Sequence, residues 1–220
     1  MHLSLSRAAL LLTLSSATLP ALAQTSPWSV RAGVAAIRLD TRSTVELPTG
    51  SVFPGGDLHA KNNTAVALEI GYAMTPDWTL RATLGTPPTT TLTSAGTLPP
   101  APTGILGKIR YAPLVFTATY GLGSLGPVRP YVGAGISYVW VMKEHSGDIA
   151  GLKADSAWGT VLQAGIEIPL SPQWSAFLDA RKVFVKTTAR GTVPAFGNVP
   201  GTARAKLDPA IYMVGVGYRF

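Results

Sequence analysis

Seven ionisable residues fall at alternating positions of segments that are otherwise apolar or small: Arg31, Glu69, Arg81, Glu167, Asp179, Arg181 and Arg219. Four are cationic and three anionic. Turned inward, such a set cannot stay unpaired, because an isolated buried charge costs several kcal/mol; ion pairs filling a narrow lumen are therefore expected. Catalysis has less to stand on. A lipid-modifying hydrolase needs a nucleophile and a base, usually His, and the chain has 3 His. His2 lies in the N-terminal segment, while His59 and His145 fall in separate long connections, with no G-x-S-x-G or H-E-x-x-H anywhere. Glu144, His145 and Asp148 share one polar stretch, a grouping too common to assign a metal. The expectation is no enzyme, no metal and no cofactor.

The composition says what kind of element must hold these charges. Of 220 residues 46% are apolar and only 13% charged, with no Cys and 18 Lys+Arg against 11 Asp+Glu, a net charge of +7. The charged fraction is about half the ~25% usual in soluble domains. Disorder, a disulfide framework and a thiolate metal site are excluded. Residues 1–23 read as a secretory signal: Arg7 supplies the positive start, an apolar stretch begins at Ala8, and Ala21-Leu22-Ala23 forms the cleavage signature. Residues 24–220 are then the exported domain. No further apolar run is long enough for a membrane helix.

Period-two alternation, the mark of a strand, runs through this domain. In 210–220, Ala210, Tyr212, Val214, Val216, Tyr218 and Phe220 share one face, and Gly215, Gly217 and Arg219 the other. The spacing predicts seven more strands over 28–37, 65–72, 78–85, 114–120, 131–140, 158–168 and 174–184, the last interrupted on its apolar face by Lys182. Alternation alone fits a sandwich or a membrane barrel. Connection lengths favour the barrel: 73–77, 121–128 and 169–173 are short, whereas 41–62, 86–104, 143–155 and 187–205 are long, as when short turns face the periplasm and long loops the outside. Trp28, Tyr72, Trp78, Tyr120, Trp174, Tyr218 and Phe220 gather near the short turns or termini. Tyr138, Trp140, Trp158, Phe184 and Tyr212 gather toward the long connections, giving two interfacial belts. The expected fold is an all-β, eight-stranded antiparallel transmembrane β-barrel, closed because lipid offers no partner to a free strand edge.

At this point the residues resemble a known family. Val30-Arg31-Ala32-Gly33, Lys61-Asn62-Asn63-Thr64, Gly85-Thr86-Pro87, Arg129-Pro130-Tyr131-Val132-Gly133-Ala134-Gly135-Ile136, Asp155-Ser156-Ala157-Trp158-Gly159, Gln163-Ala164-Gly165, Leu207-Asp208-Pro209 and the terminal Gly217-Tyr218-Arg219-Phe220 span the exported domain in order. Together they resemble the OmpW family of bacterial outer-membrane proteins. The resemblance implies a Gram-negative outer-membrane location and a role in passage of small hydrophobic molecules. It also implies that Phe220 belongs to the signal read by the barrel-insertion machinery. The sequence departs from the family where many members carry Leu-Pro-Pro: here Ala112-Pro113 stands in that place.

An eight-stranded barrel is narrow enough for side chains to fill, so a straight pore through the charged lumen is not expected. Prolines suggest another way out. Pro113 cannot donate to a ladder and Pro87-Pro88 lies across the second long connection, which points to a lateral opening between the third and fourth strands. Apolar residues Leu47, Val52, Phe53, Leu92 and Leu98 are expected to line a pocket at the loop mouth. The alternatives are prolines that merely end strands, and a structural or adhesive barrel with a filled lumen. Dispersed basic residues, among them Arg38, Arg42, Lys61, Arg110, Lys143, Lys186, Arg204 and Lys206, border the outer rim. There they would meet outer-membrane lipid and lipopolysaccharide phosphates rather than nucleic acid.

Overall fold

The computed structural model describes residues 26–46, 52, 54–97, 104–194 and 198–220. The signal segment 1–23 and Leu47, Phe53 and Leu98 of the expected pocket lie outside the described residues. Eight strands close on themselves: β1 (Trp28–Arg38), β4 (Asn63–Ala73), β5 (Trp78–Gly85), β7 (Gly107–Gly121), β8 (Arg129–Ser146), β10 (Ala157–Pro169), β11 (Trp174–Val193) and β13 (Ala210–Arg219). Each pairs antiparallel with its neighbours, and β13 returns to β1 from Ser29–Arg219 to Arg38–Ala210. The ring has no free edge within the membrane.

The outer face is large and apolar. Val34, Val66, Leu80, Phe116, Leu162, Leu178 and Val214 project outward and are exposed around the ring, a surface water would not tolerate but acyl chains cover. At the periplasmic end Trp28–Tyr72, Trp78–Tyr120 and Trp174–Tyr218 are cross-strand pairs in ring contact. Tyr138–Trp158 marks the opposite level. Two of the periplasmic turns share a device. Thr75 Oγ1 accepts the Trp78 N–H (3.0 Å) and Ser171 Oγ the Trp174 N–H (3.0 Å), each hydroxyl followed by proline. The hydroxyl closes the turn and proline presets its φ. Tight curvature shows at the paired Gly33 and Gly215, where a Cβ on either would strike the neighbouring strand's backbone.

The long connections are not irregular loops, and the strands do not stop where a constant apolar face stops. β2 (Arg42–Glu46), β3 (Gly56–Ala60), β6 (Thr89–Gly96), β9 (Ala150–Ala154) and β12 (Val199–Lys206) form within them, while β7, β8 and β11 run on past the membrane. One wall joins β3, β6, β7 and β8, the other β9, β11, β12 and β2. They meet where the Ser43 N–H and hydroxyl bond Asp57 Oδ1, both at 2.7 Å, and Ser43 Oγ accepts the Leu58 N–H at 2.7 Å. The reason is an inversion of polarity. Along β11, outward residues change from Leu178 and Phe184 to Lys186 and Arg190, while inward ones change from Asp179 and Arg181 to Val183 and Val185. Once the outside is water rather than lipid, the polar face turns outward. In β8 a bulge against Arg110/Tyr111 of β7 leaves Met142 without a partner in the register, and beyond it Lys143 and His145 stand exposed beside Arg110 and Lys108.

Candidate functional site

The interior has two storeys. The lower one, toward the periplasm, is an ionic plug centred on Glu69. Register brings Arg31 opposite Glu69 across β1–β4 and Thr83 opposite Glu69 across β4–β5. Glu69 Oε1 accepts from Arg81 Nη1 (3.0 Å) and lies 3.5 Å from Arg31 Nη1. Its Oε2 accepts from Thr83 Oγ1 (2.8 Å) and from Arg181 Nη2, which arrives from β11 across the lumen. Asp179 accepts from Arg181 Nε (2.7 Å), Tyr131 OH (2.7 Å) and Gln163 Nε2 (2.6 Å). Arg31 completes the set by pairing with Glu167 and donating to Tyr131 OH at 3.1 Å. The Tyr131 ring stacks near both Arg31 and Arg81, 5.3 and 5.1 Å from guanidinium carbon to centroid. Gly165 leaves it space, since a Cβ there would collide with the phenol. Arg31, Arg81 and Arg181 thus balance Glu69, Asp179 and Glu167, all within the lumen. Arg219, by contrast, is exposed at the periplasmic rim and stands outside this cluster.

Above the plug the interior becomes apolar. Val115, Val161, Val183 and Val185 pack into a layer, with Ile211 against it. Over this floor opens a cavity of about 90 Å³, walled by residues such as Ile37, Leu58, Leu92, Ile109, Val139 and Val141. Few polar side chains line it, and most are engaged. Thr90 Oγ1 donates to Lys61 O (2.9 Å), Thr187 Oγ1 to Asp155 O (2.6 Å), Asn63 Nδ2 to Tyr111 OH (3.3 Å), and the Asp155 carboxylate pairs with Arg190 at 3.0 Å. The hydroxyls of Ser137 and Thr41 are buried with no hydrogen-bond partner among the described residues.

Of the residues expected at a loop mouth, Leu92 lines this cavity. Val52 instead is exposed, in an isolated bridge with Glu46. The cavity lies within the barrel and its strand extensions, and its main lining of Ile37, Leu58, Ile109, Val115, Val139, Val183 and Val185 differs from the expected set. The sequence signal was present: in 183–189 and 109–115 apolar residues move to the face that carries Asp179, Arg181 and Thr117 lower down. His59 on β3 and His145 on β8 are both exposed, and no group of three or more potential metal ligands occurs among the described residues.

The three prolines lie along one seam. The β5–β7 ladder ends at Leu84–Leu114 and the β6–β7 ladder begins at Thr89–Arg110. Between them the Tyr111 N–H donates to Pro88 O at 3.2 Å. Two residues further along β7 the nitrogen of Pro113 faces the same way, with no hydrogen to give. Thr86 turns aside, its N–H bonding Val66 O at 2.8 Å. Pro88 is buried, Pro87 and Pro113 are half-buried, and Pro113 also lines the cavity.

A closed ring of eight antiparallel strands with a lipid-compatible exterior, two aromatic levels and a filled lower lumen defines an integral outer-membrane β-barrel. The chain belongs to the OmpW family, whose model matches residues 26–220. It is 40% identical over 202 residues to the dibenzothiophene metabolism operon protein PahQ of Pseudomonas aeruginosa, covering 91% of this chain and 92% of that one. It is 30% identical over 205 residues to outer membrane protein W of Vibrio cholerae, covering 90% of each. Among solved structures, the outer membrane protein OprG from Pseudomonas aeruginosa superposes with a TM-score of 0.80 at 22% identity, over 89% of this chain and 97% of that one. The outer membrane protein AlkL in lipid bilayers gives 0.67 at 20% identity, over 100% and 97%. These likenesses place the protein in the outer membrane.

Proposed function

We propose that this non-enzymatic barrel carries small apolar molecules across the outer leaflet. They enter the cavity from outside and leave sideways through the seam between Gly85–Pro88 and Tyr111–Pro113. The observation that carries the reading is the stacking of an apolar chamber on an ionic floor. An apolar solute gains by entering the chamber, whereas passage through the plug would set it against paired charges that have no reason to part. The proline seam offers an exit at the chamber's level, where the wall is short of one backbone donor. The relatives named for a dibenzothiophene metabolism operon fit a cargo of this class, because that compound is a fused apolar heteroaromatic. In the same reading, outer-leaflet lipid and lipopolysaccharide surround the barrel. Phe220, exposed and stacked edge-on against Tyr218, is the mark read by the insertion machinery.

Uptake of naphthalene into liposomes containing the refolded barrel tests the function. Uptake no faster than into empty liposomes would end the transport reading and leave a structural barrel. Pro113→Ala tests the route, since it restores an N–H on the seam side of β7. Slower uptake is expected, and an unchanged rate would exclude lateral exit.

A further inference from the structure

Three cations stand in one row across the outer wall. The register pairs Lys186 of β11 with Lys206 of β12, and Lys206 in turn with Arg42 of β2. All three side chains face outward and are exposed. Directly opposed residues hold their Cβ atoms about 4.5–5.5 Å apart, and like charges so placed repel. One step higher, Arg204 joins them, flanked by its register partners Thr188 and Thr44, and Arg42, Lys186, Arg204 and Lys206 all line a common groove. Acidic relief is slight. Arg204 meets Glu46 at 3.4 Å and Arg42 lies 3.9 Å from Asp40, both cations well exposed, while among the described residues no ion pair engages Lys186 or Lys206.

The height of the row identifies what it faces. Lys186 is two residues beyond the exposed Phe184 on the same outward face of β11, about 6–7 Å along the strand. Phe184 lies among the last apolar outward residues before the polarity inversion, so the groove sits at the depth where acyl chains give way to head groups. Lys182 on the same face is already committed, its amine bonding Asp208 O at 2.6 Å. A clustered, in-register set of cations at head-group depth calls for a compact anion with several oxygen acceptors.

We infer that Arg42, Lys186, Arg204 and Lys206 form a docking site for the phosphates of an outer-leaflet phosphoglycolipid, the lipid A portion of lipopolysaccharide. The inference rests on the lipid surroundings described above and is independent of the transport route. Seated there, the sugar phosphates would tie β2, β12 and β11 together from outside, bracing the wall of the chamber at the level of its floor.

The test uses the refolded full-length exported domain in zwitterionic micelles, titrated with lipid A bearing both phosphates and followed by its thermal unfolding midpoint. Parallel titrations use the same lipid without phosphates, and inorganic phosphate alone. The double variant Lys186→Gln/Lys206→Gln is compared with Lys108→Gln/Arg110→Gln, which removes two outward cations on the opposite wall. The expected results are stabilisation by phosphorylated lipid A only, an affinity about tenfold weaker in the first variant, the strength of one charge-assisted contact, and no change in the second. Without lipid, the first variant should be no less stable than the parent, because it relieves repulsion. Equal responses of the two variants would overturn the site while leaving the lipid surroundings intact. Equal responses to the dephosphorylated lipid or to free phosphate would overturn the assignment of its occupant.

Discussion

Arg181 and Val183 are successive inward-facing residues of β11, and between them the interior of the barrel passes from a paired ionic cluster to an apolar chamber. The guanidinium of Arg181 joins Glu69 and Asp179 below, while the Val183 side chain packs with Val115, Val161 and Val185 above. One strand step thus separates a storey of paired charges from an apolar one.

Glu69 is the anion on which three arginines converge, so Glu69→Gln should destabilise the barrel by about 3–5 kcal/mol, the range for breaking a buried pair. Glu167, partly open at the plug's edge, should cost less when changed to Gln. Urea unfolding in micelles measures both, and a similar loss for the two would mean that Glu69 is not the centre of the network.

The chamber should be blocked without harm to the fold. Val139 lines it from β8 beside the valine layer, and Val139→Trp directs a ring into the cavity. Uptake should fall to that of protein-free liposomes at an unaltered unfolding midpoint. Transport that persists at full rate would locate passage elsewhere.

Two hydroxyls in the interior should respond oppositely. Ser137 Oγ has no partner among the described residues, so Ser137→Ala should be neutral or stabilising by up to about 1 kcal/mol. Thr83 Oγ1 donates to Glu69 and accepts from Arg181 at 2.8 Å, so Thr83→Ala should cost about 1.5–3 kcal/mol. The same urea series decides, and equal losses at both sites would contradict the hydrogen bonding described.

The turn hydroxyls offer a milder case. Ser171→Ala removes the acceptor of the Trp174 N–H at a water-exposed turn and should cost about 1 kcal/mol or less. A loss of several kcal/mol would show that the turn anchors far more than its own closure.

The membrane-spanning half was legible because its physics is uniform: lipid outside, small or charged groups inside, short turns below. Val30, Ala32 and Val34 alternating with Arg31 and Gly33 read directly as a strand. The extensions were not, because the rule changes along each strand. After Phe184 the outward residue is Lys186 and the inward one Val185, so a search for one constant apolar face stops where the wall of the chamber begins. Connecting residues supply Leu92 to its lining, whereas Ile37, Val139 and Val185 come from the strands themselves. The seven charges could be placed on one face, but Arg219 could not be set apart from the other six by alternation. That separation depends on where the short turns leave the last residue of β13, at the rim.

The plug has one more property. Its three arginines and three carboxylates sum to zero, so shifting the cluster as a body along the axis moves no net charge. A single uncompensated charge crossing 100 mV would exchange about 2.3 kcal/mol with the field. The neutral cluster exchanges none, and the chamber's floor is electrically silent. A uniform field along the barrel axis therefore exerts no net force on it.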